Sequence, residues 1–140
     1  ASDTGEDAQA QVSNQIDVVS ATGAVDGSEV NEVVLVVKKS PGSDAIDLSA
    51  ATIQYTSSSD SETLSNSSGF TINSTDGSST TDTVLDDTSE RKKVVISLDG
   101  TPSALGEGEE ATLEIVDQSG ASTVYGVNVP DVLTGDYVSV

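Results

Sequence analysis

The residues with the most to offer chemically are two asparagines. Asn66-Ser67-Ser68 and Asn73-Ser74-Thr75 each place a hydroxyl two residues after a carboxamide, the acceptor pattern for an N-linked glycan. Both sit between residues 57 and 83, a stretch so rich in Ser and Thr that the triplet arises readily by chance. The same polarity places each asparagine in an exposed loop or at a strand end. Just beyond, Asp76, Asp82, Asp86, Asp87 and Glu90 could gather a hard cation through oxygen ligands. Their spacing fits neither an EF-hand nor a nonapeptide loop, and a hydrated acidic surface produces such clusters without any metal. A metal site is left open and no ligands are assigned.

Catalysis has less to work with. With no His, a Ser-His-Asp triad, a His-ligated metal and a His general base are excluded. With no Cys there is neither a disulfide framework nor a thiolate zinc site. Paired carboxylates remain, Glu109 with Glu110 and Asp86 with Asp87. Glycoside hydrolysis needs two carboxyls about 5–10 Å apart across a cleft, one in an apolar pocket that raises its pKa. Neighbours on an acidic loop meet neither demand, and one Phe, three Tyr and no Trp leave little for a sugar-stacking cleft. The expectation is no catalytic residue, no cofactor and no enzyme.

Charge bounds the partners. Asp and Glu total 24 against five basic residues, a formal charge of −19, with a pI near 4.1. That field repels nucleic acid and anionic membranes. It suits concentrated salt, where screening within ~3 Å at about 1 M quiets self-repulsion. Disorder is the rival reading of such charge, and regular Val, Ile and Leu runs argue against it outside residues 57 to 83. Lys38, Lys39, Arg91, Lys92 and Lys93 hold every basic residue. They either relieve nearby acids such as Asp86, Asp87 and Glu90 or dock on acidic faces of neighbouring copies, and the sequence leaves both readings open.

The elements that position these groups follow from the apolar pattern. Val33 to Val37 is the longest apolar run, β-branched apart from Leu35, and of strand length. It does not alternate with polar residues, so it is expected at the centre of a sheet, with Val33, Leu35 and Val37 on one face and Val34 and Val36 on the other. Ser40-Pro41-Gly42-Ser43 turns it. Strands are expected around Ile16 to Val19, ahead of a turn from Ala24 to Ser28, then at Ile46 to Leu48, Ala51 to Thr56 and Val94 to Leu98. Glu62-Thr63-Leu64 and Phe70-Thr71-Ile72 read as small edge strands, Thr83 to Leu85 as a further scrap, and Leu105 to Glu110 as an acidic loop. A hairpin closes the chain: Leu113 and Ile115 lead out, Asp117 to Ala121 turns, Tyr125, Val127 and Val129 return, and Pro130 ends the strand. Tyr137 to Val140 is a short last strand or a tail. Thr4 and Asp7 form a weak capping box over Gly5 to Gln11, which reads as a helical turn or a frayed tail. The fold class expected is all-β, an antiparallel immunoglobulin-like β-sandwich with at most that short N-terminal helical turn.

Several of these segments, in order, resemble one family. Asn31-Glu32-Val33 leading into the apolar strand, Val37-Lys38-Lys39-Ser40-Pro41-Gly42-Ser43-Asp44, Ile46-Asp47-Leu48 and Ala51-Thr52-Ile53-Gln54-Tyr55 are similar to the outer domain of haloarchaeal archaellins, the archaeal flagellins. Residues 10 to 23 ahead of them, with Leu105 to Leu113 and Val127 to Asp131 behind, extend the resemblance over nearly the whole chain. It implies a structural subunit of the extracellular archaeal motility filament, partnered by copies of itself or a paralogue and carrying N-linked glycans. It also implies that residues 1–13 are a remnant linker from an N-terminal core helix not in this chain, that residues 14–140 are the outer sandwich, and that the domain alone is monomeric. The absence of Met, a signal peptide and a transmembrane segment fits a processed chain or a fragment. A non-motility surface adhesin or pilin-like module on the same sandwich is the alternative.

Overall fold

In the computed structural model the structure describes residues 16–41, 44–58, 60–78, 80, 82–87, 89–98, 100, 103–118 and 120–140. The proposed turn over Gly5 to Gln11 and the linker 1–13 lie outside these residues. The strands are β1 (Ile16–Asp26), β2 (Glu29–Lys39), β3 (Ile46–Asp47), β4 (Thr52–Ser57), β5 (Ser61–Asn66) and β6 (Gly69–Asn73). They continue as β7 (Val84–Leu85), β8 (Lys92–Ser97), β9 (Leu105–Gly106), β10 (Glu110–Val116), β11 (Ser122–Asn128) and β12 (Tyr137–Ser139). A 3-10 turn, Leu48–Ala50, follows β3 and is capped by Asp47.

One curled sheet runs β11-β10-β4-β5-β6-β8-β2-β1-β12, with β9 added to the start of β2, while β3 and β7 pair separately. The curl brings its two halves face to face. Thr123 Oγ1 donates to the Ile16 carbonyl at 2.9 Å, and the Asn128 amide donates to the Val140 carbonyl at 3.1 Å, so β11 lies against β1 and the C-terminus. The result is the expected sandwich, with β2 central between β1 and β8. Val33, Leu35 and Val37 are buried, as are Ile53 and Tyr55 from β4, Val94 and Ile96 from β8, and Leu113 and Ile115 from β10. Val34 and Val36, on the other face of β2, are only half-buried. These apolar rows form one core cluster, and that burial is the main stabilising term.

The structure corrects four sequence expectations. β5 and β6 are not edge strands: β5 pairs with β4 and β6 with β8, so together they join the two halves of the sheet. Between them the chain turns a corner at Ser67 (φ 66°) and Gly69 (φ 116°), giving one short parallel pairing, Ser65 opposite Gly69 and Asn66 opposite Phe70. A strand that switches sheets through a sharp bend is the usual way a sandwich makes its corner. β1 runs on to Asp26, so the turn shrinks to Gly27 and Ser28. Leu48 belongs to the 3-10 turn, not to a strand. Leu105 and Gly106 pair with Val30 and Glu29, so the acidic loop begins only after a bridge to β2.

Candidate glycan acceptors and the charged surface

Each sequon asparagine is the last residue of a strand, Asn66 of β5 and Asn73 of β6, and each is half-buried. Neither carboxamide hydrogen-bonds a described residue. Their backbones differ. Asn66 precedes the left-handed Ser67, and the corner is locked by hydrogen bonds from the Ser65 amide to the Ser68 carbonyl at 3.0 Å and from the Ser67 amide to the Phe70 carbonyl at 2.8 Å. Asn73 opens into a solvent-facing turn, where the Ser74 amide donates to the Ser78 carbonyl at 2.9 Å. It also stands at the side of a groove of about 390 Å³ across the outer sheet face, with Val34 and Val95 on the floor and Tyr137 at the far side.

The acids held open as cation ligands do not converge. Among the described residues no group of three or more carboxylates is placed to hold a metal ion. Asp82 Oδ1 accepts from the Val84 amide at 3.3 Å, and two others close tight turns on the backbone. Asp76 Oδ1 accepts from the Ser78 amide at 2.9 Å and its hydroxyl at 2.6 Å, and Asp87 Oδ1 accepts from the Ser89 amide at 3.0 Å and hydroxyl at 3.1 Å. Asp47 does the same with Ser49, at 3.0 and 2.7 Å, and also takes the Thr83 hydroxyl at 2.9 Å. This repeated Asp-x-Ser turn tightens otherwise featureless sequence. Hydrogen bonding favours the ionised form, so all three carboxyls sit below the usual aspartate range.

The basic residues do converge, through register. Val37 lies opposite Lys92 and Val36 opposite Lys93, so the end of β2 and the start of β8 share one corner of the sheet. Lys92 is buried there, its Nζ 3.1 Å from Glu90 Oε1 and 3.6 Å from Asp82 Oδ2. Burial alone would lower the ammonium; the hydrogen bond and charge of Glu90, with Asp82 behind, outweigh it and raise the group above ordinary lysine. Sequence reasoning saw two basic clusters and missed that they are one. The available signal was position: one pair ends a strand and the other triplet opens one, so antiparallel pairing must bring them together.

The described residues hold no His and no nucleophile–base pair, and Glu109 is committed to the Gly106 amide at 2.9 Å. In the core, Tyr55 has no hydrogen-bond partner for its hydroxyl among the described residues. Burial pushes this phenol up to about 12, against the nearby Ser57 hydroxyl, and the Asp60 and Glu109 carboxylates push the same way as burial.

The family model of archaeal-type flagellin matches residues 1–127. The chain belongs to the archaeal flagellins. Flagellin A2 of Halobacterium salinarum is 40% identical over 137 residues, covering 93% of this flagellin and 71% of that one. The sandwich overlays the crystal structure of the flagellin FlaB1 from Methanocaldococcus jannaschii with a TM-score of 0.75, at 14% identity and covering 89% of this chain and 94% of that one. It overlays the archaeal flagellum of Methanospirillum hungatei with a TM-score of 0.69, at 21% identity and covering 98% and 78%. Membership of this family decides against the adhesin and pilin-like alternative, and its members are structural proteins, not enzymes.

Proposed function

We infer that this flagellin is a structural subunit of the archaeal motility filament on the cell surface, with residues 14–140 as its outer β-sandwich domain and residues 1–13 as the linker toward the filament core. The family match over residues 1–127 carries the reading. Its partners are other flagellin subunits, copies of itself or a paralogue. The most exposed large apolar side chains, Val19, Val124, Val132 and Tyr137, are single residues on four segments. Contacts between such polar domains fall below the ~1,000 Å² of a stable specific interface. The 140-residue chain alone is therefore monomeric, and sedimentation velocity in about 2–3 M salt, where repulsion is screened within ~3 Å, should show one slow boundary. Filaments formed by this chain alone would place the polymer contacts in the sandwich itself.

Asn66 and Asn73 are the N-glycan acceptors. Both carboxamides are free of hydrogen bonds to described residues, and both strands end at them. Asn73 carries the fuller occupancy, because a transferase must reshape the acceptor triplet and Ser67 is fixed in a corner with φ 66°. Glycopeptide mass spectrometry of filaments from the native host tests this; higher occupancy at Asn66 would show that the corner opens before transfer.

A further inference from the structure

The molecule has two unlike ends joined by β2. At one end stand all five basic residues: Lys38 and Lys39 close β2, and Arg91 leads into Lys92 and Lys93 at the start of β8. Asp17 lies opposite Lys38, and Glu90 and Asp82 bridge to Lys92, so this corner is close to neutral within a chain of charge −19. At this corner Arg91 is exposed, its Nη1 donating to the Ser89 carbonyl at 3.2 Å. Lys38 and Lys93 form no ion pair with a described residue.

The other end is purely acidic. Asp26 and Glu29 flank the β1–β2 turn, and Gly106 pairs with Glu29. Glu107 accepts the Leu133 amide at 2.9 Å, the Gly108 amide reaches the Pro130 carbonyl at 3.1 Å, and the Val25 amide reaches the Asp136 carbonyl at 2.8 Å. These bonds bring Glu107, Asp131 and Asp136 to the same end as Asp26 and Glu29. The 11 residues of β2 separate the two ends by about 33 Å at ~3.3 Å per residue.

We propose that the outer domain docks head to tail on a second copy of this chain, the basic corner of one against the Asp26–Glu29 and Glu107 end of the next. The proposal rests on the filament-subunit reading. A symmetric pairing would set like end against like end; only unlike ends attract, and such heterologous contacts propagate as an open string wherever their rotation does not close into a ring. Concentrated salt removes repulsion between whole subunits but not attraction between groups in direct contact, because screening acts beyond ~3 Å at about 1 M. Arg91, Lys38 and Lys93 are the residues placed to make that contact. One such contact is small, consistent with a monomeric isolated domain, and becomes effective when assembly holds the subunits together.

Zero-length carbodiimide cross-linking of filaments from the native host, read by peptide mass spectrometry, decides it. The expected products join Lys38 or Lys93 to a carboxylate among Asp26, Glu29, Glu107, Asp131 and Asp136. Along β2, Lys38 is nine residues from Glu29 and Lys93, opposite Val36, seven, about 30 and 23 Å at ~3.3 Å per residue, so such a product joining either lysine to Asp26 or Glu29 links two copies. Cross-links from these lysines solely to Asp17 or other acids of their own corner, to carboxylates elsewhere on a neighbour, or to a different protein would overturn the proposal. Filaments containing no peptide of this chain would overturn the filament reading itself. Lys38→Glu with Lys93→Glu should then cost the cell its filaments while the purified chain still folds in about 2–3 M salt, its midpoint lowered only slightly by the like charge set opposite Asp17. Asp26→Lys with Glu29→Lys in the same gene should restore them, and failure of that restoration counts against the docking.

Discussion

The core strands and the Ser/Thr-rich stretch from β5 to Glu90 are held in place by different physics. β2 and β8 are specified by apolar rows: Leu35, Val37 and Ile96 are out of solvent, and a one-residue register slip would turn them outward. The polar stretch contributes only Leu64, Phe70, Ile72 and Leu85 to the core. The rest of its shape comes from side chains that bond the backbone, as in the Asp-x-Ser turns, and from one corner whose position 69 calls for glycine. The first region is robust to conditions and sensitive to volume; the second is the reverse.

The largest expected effect comes from volume in the first region. Leu35 is 0% exposed at the centre of the sheet. Leu35→Ala should cost about 2–5 kcal/mol and lower the melting midpoint in high salt by on the order of 10 °C. A change of comparable size from Thr63→Ala on the exposed face of β5, where a hydroxyl bonds Gln54 Oε1 at 2.5 Å, would erase the distinction between the regions.

A smaller loss is expected at the corner. A Cβ at position 69 would stand 2.5 Å from Leu64 Cδ2 and 2.9 Å from Leu64 Cβ, and the backbone there has φ 116°. Gly69→Ala therefore suffers steric overlap as well as strain, roughly 2–3 kcal/mol together. Gly100→Ala separates the two terms, because its φ of 113° is similar but nothing lies within 4 Å of the added atom; it should cost roughly 1 kcal/mol. Equal melting shifts for the two variants would mean that Leu64 moves aside and the corner is held only by its dihedrals.

This contrast also explains what was legible in the sequence. Val33 to Val37, Val94 to Leu98 and the Leu113–Val129 hairpin announce themselves, because burial selects apolar, β-branched residues at a fixed period. The fold class followed from them. The joining role of β5 and β6 did not, because a two-residue parallel pairing at a corner leaves no periodicity, only a Ser-Ser-Gly that reads as loop. Both asparagines were readable as sequons, yet their unequal settings depend on the left-handed Ser67, which no local pattern marks. The union of the basic clusters was hidden for a related reason: register is a long-range property, and Lys38 and Lys93 are neighbours only once β2 and β8 pair.

The smallest effect probes the Asp-x-Ser turns themselves. The Asp47 carboxyl is lowered first by the Ser49 hydroxyl, against slight burial, and further by the Thr83 hydroxyl and the Ser49 amide. Asp76 is lowered first by the Ser78 hydroxyl, and Asp87 first by the Ser89 amide. A depressed folded value means that the fold favours the ionised form. Its contribution is fully present above the unfolded value of 3.8 and is lost as pH falls through the lower folded value. Asp47→Asn keeps an acceptor oxygen and removes only the charge, so it isolates this term. The melts belong in about 2 M salt, because at low salt neutralising the other carboxylates would relieve repulsion and mask the loss. Under screening the wild type should melt above the variant by on the order of 1–2 °C at about pH 6, with the gap closing toward about pH 2. A gap that keeps its width across that range would mean that geometry alone holds the turn, and the polar stretch would then be no more sensitive to conditions than the core.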